Sequence, residues 1–208
     1  MAGVSQAPPG RAGRLWLQHR LTTAQHGSEL LDRKLRILRT ERESHSLLVE
    51  RTGRALVAAT TEAHRWSLRA AVLVGQAPLH LAVAPAPATV EISWGETMGV
   101  RYPVTARCVF PEPAGDEPAP GSAALVLARE ACARALDAAA AHAAAQAAVR
   151  VLEEQEAATR RRLRAIEDRW VPRLRAALAE AELRLEEEER TEGLRLRWAA
   201  GTGRAGEG

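Results

Sequence analysis

Apolar residues recur along the first third of this chain at alternating steps of four and three residues, without a slip, from Leu17 to Leu73. The positions are Leu17, Leu21, Ala24, Ser28, Leu31, Leu35, Leu38, Arg42, His45, Val49, Thr52, Leu56, Ala59, Ala63, Trp66, Ala70 and Leu73, and thirteen of the seventeen are apolar. A 3.5-residue repeat is the seam of a coiled coil, and its shortfall from 3.6 residues per turn predicts a left-handed supercoil. Such a helix is stable only when something covers the stripe. Arg42, His45 and Thr52 break the seam and are expected to set register or to mark a docking point.

A second helix of similar length is expected over residues 123–200, capped by Ser122. Its run 159–190 has no glycine and one proline, Pro172, where a bend is expected because a proline ring has no N–H and clashes with the preceding turn. Stepping back from Trp170 by heptads meets Ile166, Leu163, Thr159, Glu156, Leu152, Val149, Ala145 and His142, with Glu156 and Thr159 interrupting the stripe. Past the proline, Leu174, Leu178, Ala181 and Leu185 are read as its continuation. The alanine-rich stretch 131–148 offers small seam residues that let two helices approach closely.

Between them lies a segment, 77–122, punctuated by Pro78, Pro85, Pro87, Pro103, Pro111, Pro113, Pro118 and Pro120. Val90, Ile92 and Trp94 alternate on one face of a strand, as do Val104, Ala106, Cys108 and Phe110 on another, so a β-hairpin across residues 95–99 is expected. An isolated hairpin is marginal and must pack on the helices or on a partner. Residues 112–122 read as a flexible connector, and 201–208 as a disordered tail.

Each helix would run about 100 Å at about 1.5 Å per residue. Tethering places the internal partner at an effective concentration of roughly millimolar or more, so the two stripes are expected to cover each other. The fold class is therefore mainly α: a long antiparallel two-helix coiled coil from the N-terminal (11–76) and C-terminal (123–200) thirds. A small proline-rich hairpin hub sits in the middle, at the tip opposite the chain ends.

Composition excludes more than it assigns. Aromatic residues are 3% of the 208 residues and charged residues 26%, which fits a slender helical assembly rather than a thick aromatic core. Residues 11–76 carry twelve basic and six acidic side chains and residues 123–200 fourteen of each, so any attraction to nucleic acid is confined to the first helix. There the acidic residues are interleaved and no aromatic stacking pattern accompanies them, so no nucleic-acid partner is expected. Cys108 and Cys132 are isolated, which fits a reduced, intracellular chain. No stretch is apolar enough to span a membrane, and no signal peptide is expected.

No phosphate loop, HExxH, GxSxG or dinucleotide fingerprint occurs, so no catalytic, cofactor-binding or metal-binding residue is assigned and no cofactor is expected. His45 and His142 on seam positions read as hydrogen-bonded interface histidines. Successive carboxylates at 186–189 point around a helix and read as a solvated face balanced by Arg184 and Arg190.

Three separated stretches nevertheless resemble one family. Residues 159–174, TRRRLRAIEDRWVPRL, followed by LEEEER at 185–190, MGVRYP at 98–103 and Leu30-Leu31 with Lys34 are similar to the D subunit of vacuolar and archaeal-type rotary ATPases. The resemblance implies a non-catalytic central rotor shaft that transmits torque and couples ATP hydrolysis or synthesis to proton or sodium transport. Its implied partners are the catalytic and non-catalytic nucleotide-binding subunits of the head, the small F subunit and the socket subunit of the membrane rotor, with a cytoplasmic, membrane-peripheral location. Contact with the ring is expected from Arg160, Arg161, Arg162, Arg164, Arg169, Arg173, Arg175, Glu186, Glu187 and Arg190, with Pro172 as the shaft bend. Contact with the F and socket subunits is expected from Val90, Ile92, Trp94, Met98, Val100 and Tyr102. The alternative of a different class is a homodimeric coiled-coil scaffold, which predicts a dimer with parallel helices.

Overall fold

The computed structural model describes residues 7–75, 87–111 and 122–204. In chain order these form α1 (Gly10–Val74), a hairpin of β1 (Thr89–Thr97) and β2 (Val100–Val109), α2 (Ala123–Arg164), a π-helical turn (Ala165–Trp170) and α3 (Val171–Arg204). The protein is mainly helical, with a long helix toward each end of the chain and a two-stranded antiparallel sheet between them in sequence. Most prolines of the expected hub, Pro78, Pro85, Pro113, Pro118 and Pro120, and nearly all of the expected connector 112–122 lie outside the described residues. The same is true of residues 205–208 of the expected tail, whereas α3 continues to Arg204. The chain divides into two compact units, Met1–Leu35 with Ala158–Gly208, and Arg36–Ala157.

In the first unit, the N-terminal part of α1 meets residues of α3 in antiparallel order. Arg11 pairs with Glu189 at 2.9 Å and Arg14, one turn later, with Glu182 at 3.6 Å. Leu17 lines one cleft with Ala177, Ala181 and Leu185. Leu163, Val171 and Leu174 are buried along the C-terminal segment. The stripe does not simply continue past the proline, however. A strict alternation of four and three from Trp170 would turn Arg173 inward, yet Arg173 is exposed and Leu174 is fully buried. The downstream stripe is thus displaced by one residue, and the π-helical turn absorbs the surplus: Val171 N–H bonds back five residues to the Ile166 carbonyl. Pro172 follows directly, so its missing N–H falls just past a turn already bonded out of α register.

In the second unit the pairing is again antiparallel. Arg39 and Arg42 meet Glu156, Thr52 meets His142, Glu62 meets Arg134 and Ser67 meets Cys132. Gly53 lies against the His142 ring so closely that an added Cβ would stand 3.3 Å from it. Leu38, Ala148 and Leu152 form one core with Val100 and Tyr102 of the hairpin. Ala70, Ala124, Leu125 and Ala128 form another, with Trp66 and Val74 packed on it. The first-helix seam holds through Ala70 and fails at its last position: Leu73 is 72% exposed and Val74 takes the inward place. A helix of 3.6 residues per turn drifts by about 20° per heptad against a 3.5 repeat, which brings a step of four into favour over a step of three. Ser122 caps α2 as expected, its Oγ accepting from the Ala124 N–H at 3.2 Å.

The hairpin is longer than expected, and its strands meet across a two-residue turn at Met98 and Gly99. Both residues have positive φ, 53° and 75°, the backbone of a type I′ turn that matches the twist of the flanking strands. A register shift between Ser93 and Trp94 leaves Trp94 opposite Pro103. At that bulge a Cβ on Gly95 would stand 2.6 Å from Val104 Cγ2, so any other residue there would force the Val104 side chain to move. The hairpin packs through β2, which buries Val100, Tyr102, Pro103 and Ala106, while β1 is exposed nearly throughout. Within this unit it lies alongside the middle of α1, near Leu38, Glu41 and His45, instead of at the helix end by Val74. The tip position fails because the core that can receive Tyr102 is built where Leu38 and Leu152 leave an apolar surface beside a carboxylate.

Candidate functional site

The second unit presents an apolar strip along the hairpin. Val90, Ile92, Trp94 and Met98, four of the six residues expected to meet partner subunits, are each about half exposed, with Trp94 at 52%. Val104, Val109 and Phe110 of the same hairpin, which as a whole was expected to meet those partners, are also exposed, and Val109, paired with Thr89, stands on the face away from Val90 and Ile92. Alternation along each strand taken separately could not show that β2 lies inward and leaves the faces of β1 bare. The Arg101 guanidinium sits 4.8 Å from the centre of the Trp94 ring and holds it on the surface. Val100 and Tyr102, the other two expected contacts, face inward instead and are 5% and 3% exposed. They anchor the hairpin and are consumed by the protein's own core.

Tyr102 makes that anchor polar as well as apolar. Its hydroxyl donates to Glu41 Oε1 at 2.8 Å and accepts from the Thr97 hydroxyl at 2.9 Å. The His45 ring stands edge-on to the Tyr102 ring, centroids 5.1 Å apart, with Nε2 3.5 Å from Glu41 Oε1. His45 Nδ1 is buried without a hydrogen-bond partner. Burial pushes the Tyr102 phenol above its ordinary 10.0, Thr97 pulls it back, and the Glu41 carboxylate, which accepts the neutral phenol's hydrogen bond and repels a phenolate, pushes it up again. At the strand's far end the Cys108 amide donates to Asp137 Oδ1 at 2.8 Å, tying β2 to α2. The strip is therefore displayed from a base fixed at both ends.

Two polar positions of each seam belong to this unit and meet across it, Arg42 with Glu156 and Thr52 with His142. Glu156, 7% exposed, accepts from Arg42 Nε at 3.0 Å and has Arg39 Nε at 3.7 Å. Thr52 Oγ1 donates to the Leu48 carbonyl, so it accepts from His142 Nδ1 at 3.0 Å, and His142 Nε2 accepts from Gln146. That hydrogen-bond accounting assigns the Nδ1–H tautomer to His142.

The expected ring-contact residues all lie in the first unit. Arg161, Arg162, Arg164, Arg169, Arg173 and Arg175 are exposed and Arg160 is half-buried. Glu186, Glu187 and Arg190 are exposed on α3, where neighbouring Glu180 and Arg184 form an ion pair one turn apart. Arg161, Arg162 and Arg164 end α2, Arg169 lies in the π-helical turn, and Pro172 with Arg173 and Arg175 opens α3. Strong basic character thus gathers around the out-of-register turn, leaving the apolar seam positions to Leu163 and Leu174.

Among the described residues, no group of three His, Cys, Asp or Glu side chains is placed to hold a metal ion, and no helix is long and apolar enough to cross a membrane. No curated protein matches the chain. Among protein families, that of the ATP synthase D subunit matches residues 15–201, a span that takes in nearly all of both helical ends and the whole hairpin. The motifs at 30–34, 98–103 and 159–190 all fall inside it, in agreement with their resemblance to the D subunit of vacuolar and archaeal-type enzymes. The chain belongs to the family of ATP synthase D subunits.

Proposed function

We propose that this protein is the central rotor shaft of a vacuolar or archaeal-type rotary ATPase, a non-catalytic part that carries torque between a ring of nucleotide-binding subunits and the membrane rotor. In that role it couples ATP hydrolysis or synthesis to transport of protons or sodium ions, from the cytoplasmic side of the membrane. The family match over residues 15–201 carries this reading. The chemistry agrees with it: torque transmission asks for helices locked in register and no reacting group.

The basic residues around the π-helical turn, together with Glu186, Glu187 and Arg190, are the proposed contacts with the catalytic and non-catalytic subunits of the head. Charged, hydrated side chains suit contacts that must form and release as the ring turns, since they steer encounter without a dry adhesive interface. Val90, Ile92, Trp94 and Met98, joined by Val104, Val109 and Phe110, are the proposed seat for the F subunit and the socket subunit. Affinity capture of the tagged chain from its own cells tests this. Recovery of the head subunits, an F subunit and a socket subunit is expected, and recovery of a homodimer alone would overturn it. A homodimeric scaffold finds little support, because in each unit the stripes are covered by the chain's own helices.

A further inference from the structure

In the first unit the π-helical turn splices two seams that are out of phase. Thr159, Leu163, Ile166 and Trp170 keep the alternation of four and three, and Leu174, Leu178, Ala181 and Leu185 keep the repeat again one residue late. A helix can carry one residue too many only by widening a turn, which is what a bond from residue 171 to residue 166 does. Deleting one residue between Trp170 and Leu174 on paper restores the alternation without a break from Thr159 to the end of the stripe. The surplus residue, not a local flaw of packing, therefore accounts for the turn.

Two barriers confine it. Toward the N-terminus stands Leu163, buried in the seam; moving the wide turn past it would rotate Leu163 out by about 100°, one residue's share of a 3.6-residue turn. Toward the C-terminus stands Pro172, whose ring would clash with the carbonyl of Asp168 if the intervening turn relaxed to α geometry. Between the barriers packing is light, because Ala165 and residues 167–169 are exposed and Ile166 and Trp170 are only half-buried.

We infer that residues 165–170 are a torsional joint: a confined one-residue slack that lets the helical segments on its two sides twist against each other while both seams stay closed. Resting on the rotor role proposed above, the joint is where this unit takes up twist when its basic surface is loaded. The turn's own bonding carries the conformational part, independently of that role.

Hydrogen exchange and thermal melting of the full-length chain test it with two variants. In the native chain, amides of 165–171 are expected to exchange at least tenfold faster than those of 174–180. Deletion of Pro172 removes the surplus, so exchange at the former turn is expected to slow at least tenfold and the melting temperature to rise. Pro172→Ala keeps the surplus and removes a barrier, so fast exchange is expected to persist and to spread past residue 172. Slowing of the turn to the level of its flanks in Pro172→Ala would overturn the inference, since the proline alone would then have made the turn. An unchanged turn in the deletion variant, or loss of protection at 174–185, would overturn it equally. These readouts need no other protein, so they hold or fail apart from affinity capture, the test of the rotor role.

Discussion

Arg42 and Glu156 each occupy a position where the apolar stripe of their own helix fails, and each is the other's partner at 3.0 Å. Singly, each is a defect; together they are a register mark, because out of register the buried Glu156 carboxylate would lose the hydrogen bond that Arg42 donates. Glu156→Leu is expected to destabilise the protein by about 2–3 kcal/mol in urea titration, the worth of a hydrogen bond to a charged group. The Arg42→Leu, Glu156→Leu double variant should recover most of that, since a matched apolar pair is often neutral. Tyr102 is the second decisive residue. Its phenol is held above 10.0, so the folded state keeps a proton that the unfolded chain gives up. The associated stability is fully present below about pH 10 and lost as pH rises through the higher folded value. Tyr102→Phe is expected to lower stability by about 1–2 kcal/mol at neutral pH and to abolish that alkaline slope in denaturation followed across pH.

At the scale of elements, the hairpin shows how a short motif becomes rigid. Its turn needs left-handed backbone at two successive residues, and glycine supplies one of them at position 99. Gly99→Ala is expected to weaken the hairpin by about 1–2 kcal/mol, seen as faster amide exchange confined to residues 89–109 while the helices keep their protection. The two strands and the turn were legible from alternating Val90, Ile92 and Trp94 and from the glycines. Which strand faces inward was not, because alternation fixes only that two faces differ. The decision came from Leu38, Glu41 and Leu152, remote in sequence, which make a place for Tyr102. The π-helical turn is the opposite case. Its signal, a step of four from Trp170 to Leu174 where three was due, stands in the sequence and is easily read as continuity because every residue on the displaced stripe is apolar.

At the scale of the molecule, the compact units do not follow the expected segments 11–76, 77–122, 123–200 and 201–208, because each unit takes a piece of both helical ends. A segment drawn along the chain is a stretch of uniform pattern, whereas a compact unit is a set of pieces that bury one another. The proposed work of the molecule makes its own demand. Replacing Arg161, Arg162, Arg169 and Arg173 by glutamine removes exposed charges that take no part in the described cores, so thermal melting is expected to shift by no more than a few degrees. In the assembled complex the same variant is expected to bind the head but to lose at least half of ATP-driven rotation or coupled transport. Unchanged coupling would remove the basic surface from the mechanism.

Periodicity and the tether between the helical segments determined that two long helices would form, which faces they would bury over most of their length and that they would pair antiparallel. Each of these follows from helical repeat, apolar spacing and the proximity of tethered ends. Only tertiary structure decided that Arg42 pairs with Glu156 and Thr52 with His142, that the hairpin lies against the middle of α1 through Tyr102, and that the surplus residue beside Pro172 is taken up as a π-helical turn. Those outcomes depend on which distant side chains meet, and a repeat read along one strand of sequence carries the phase of each stripe without the contacts made across it.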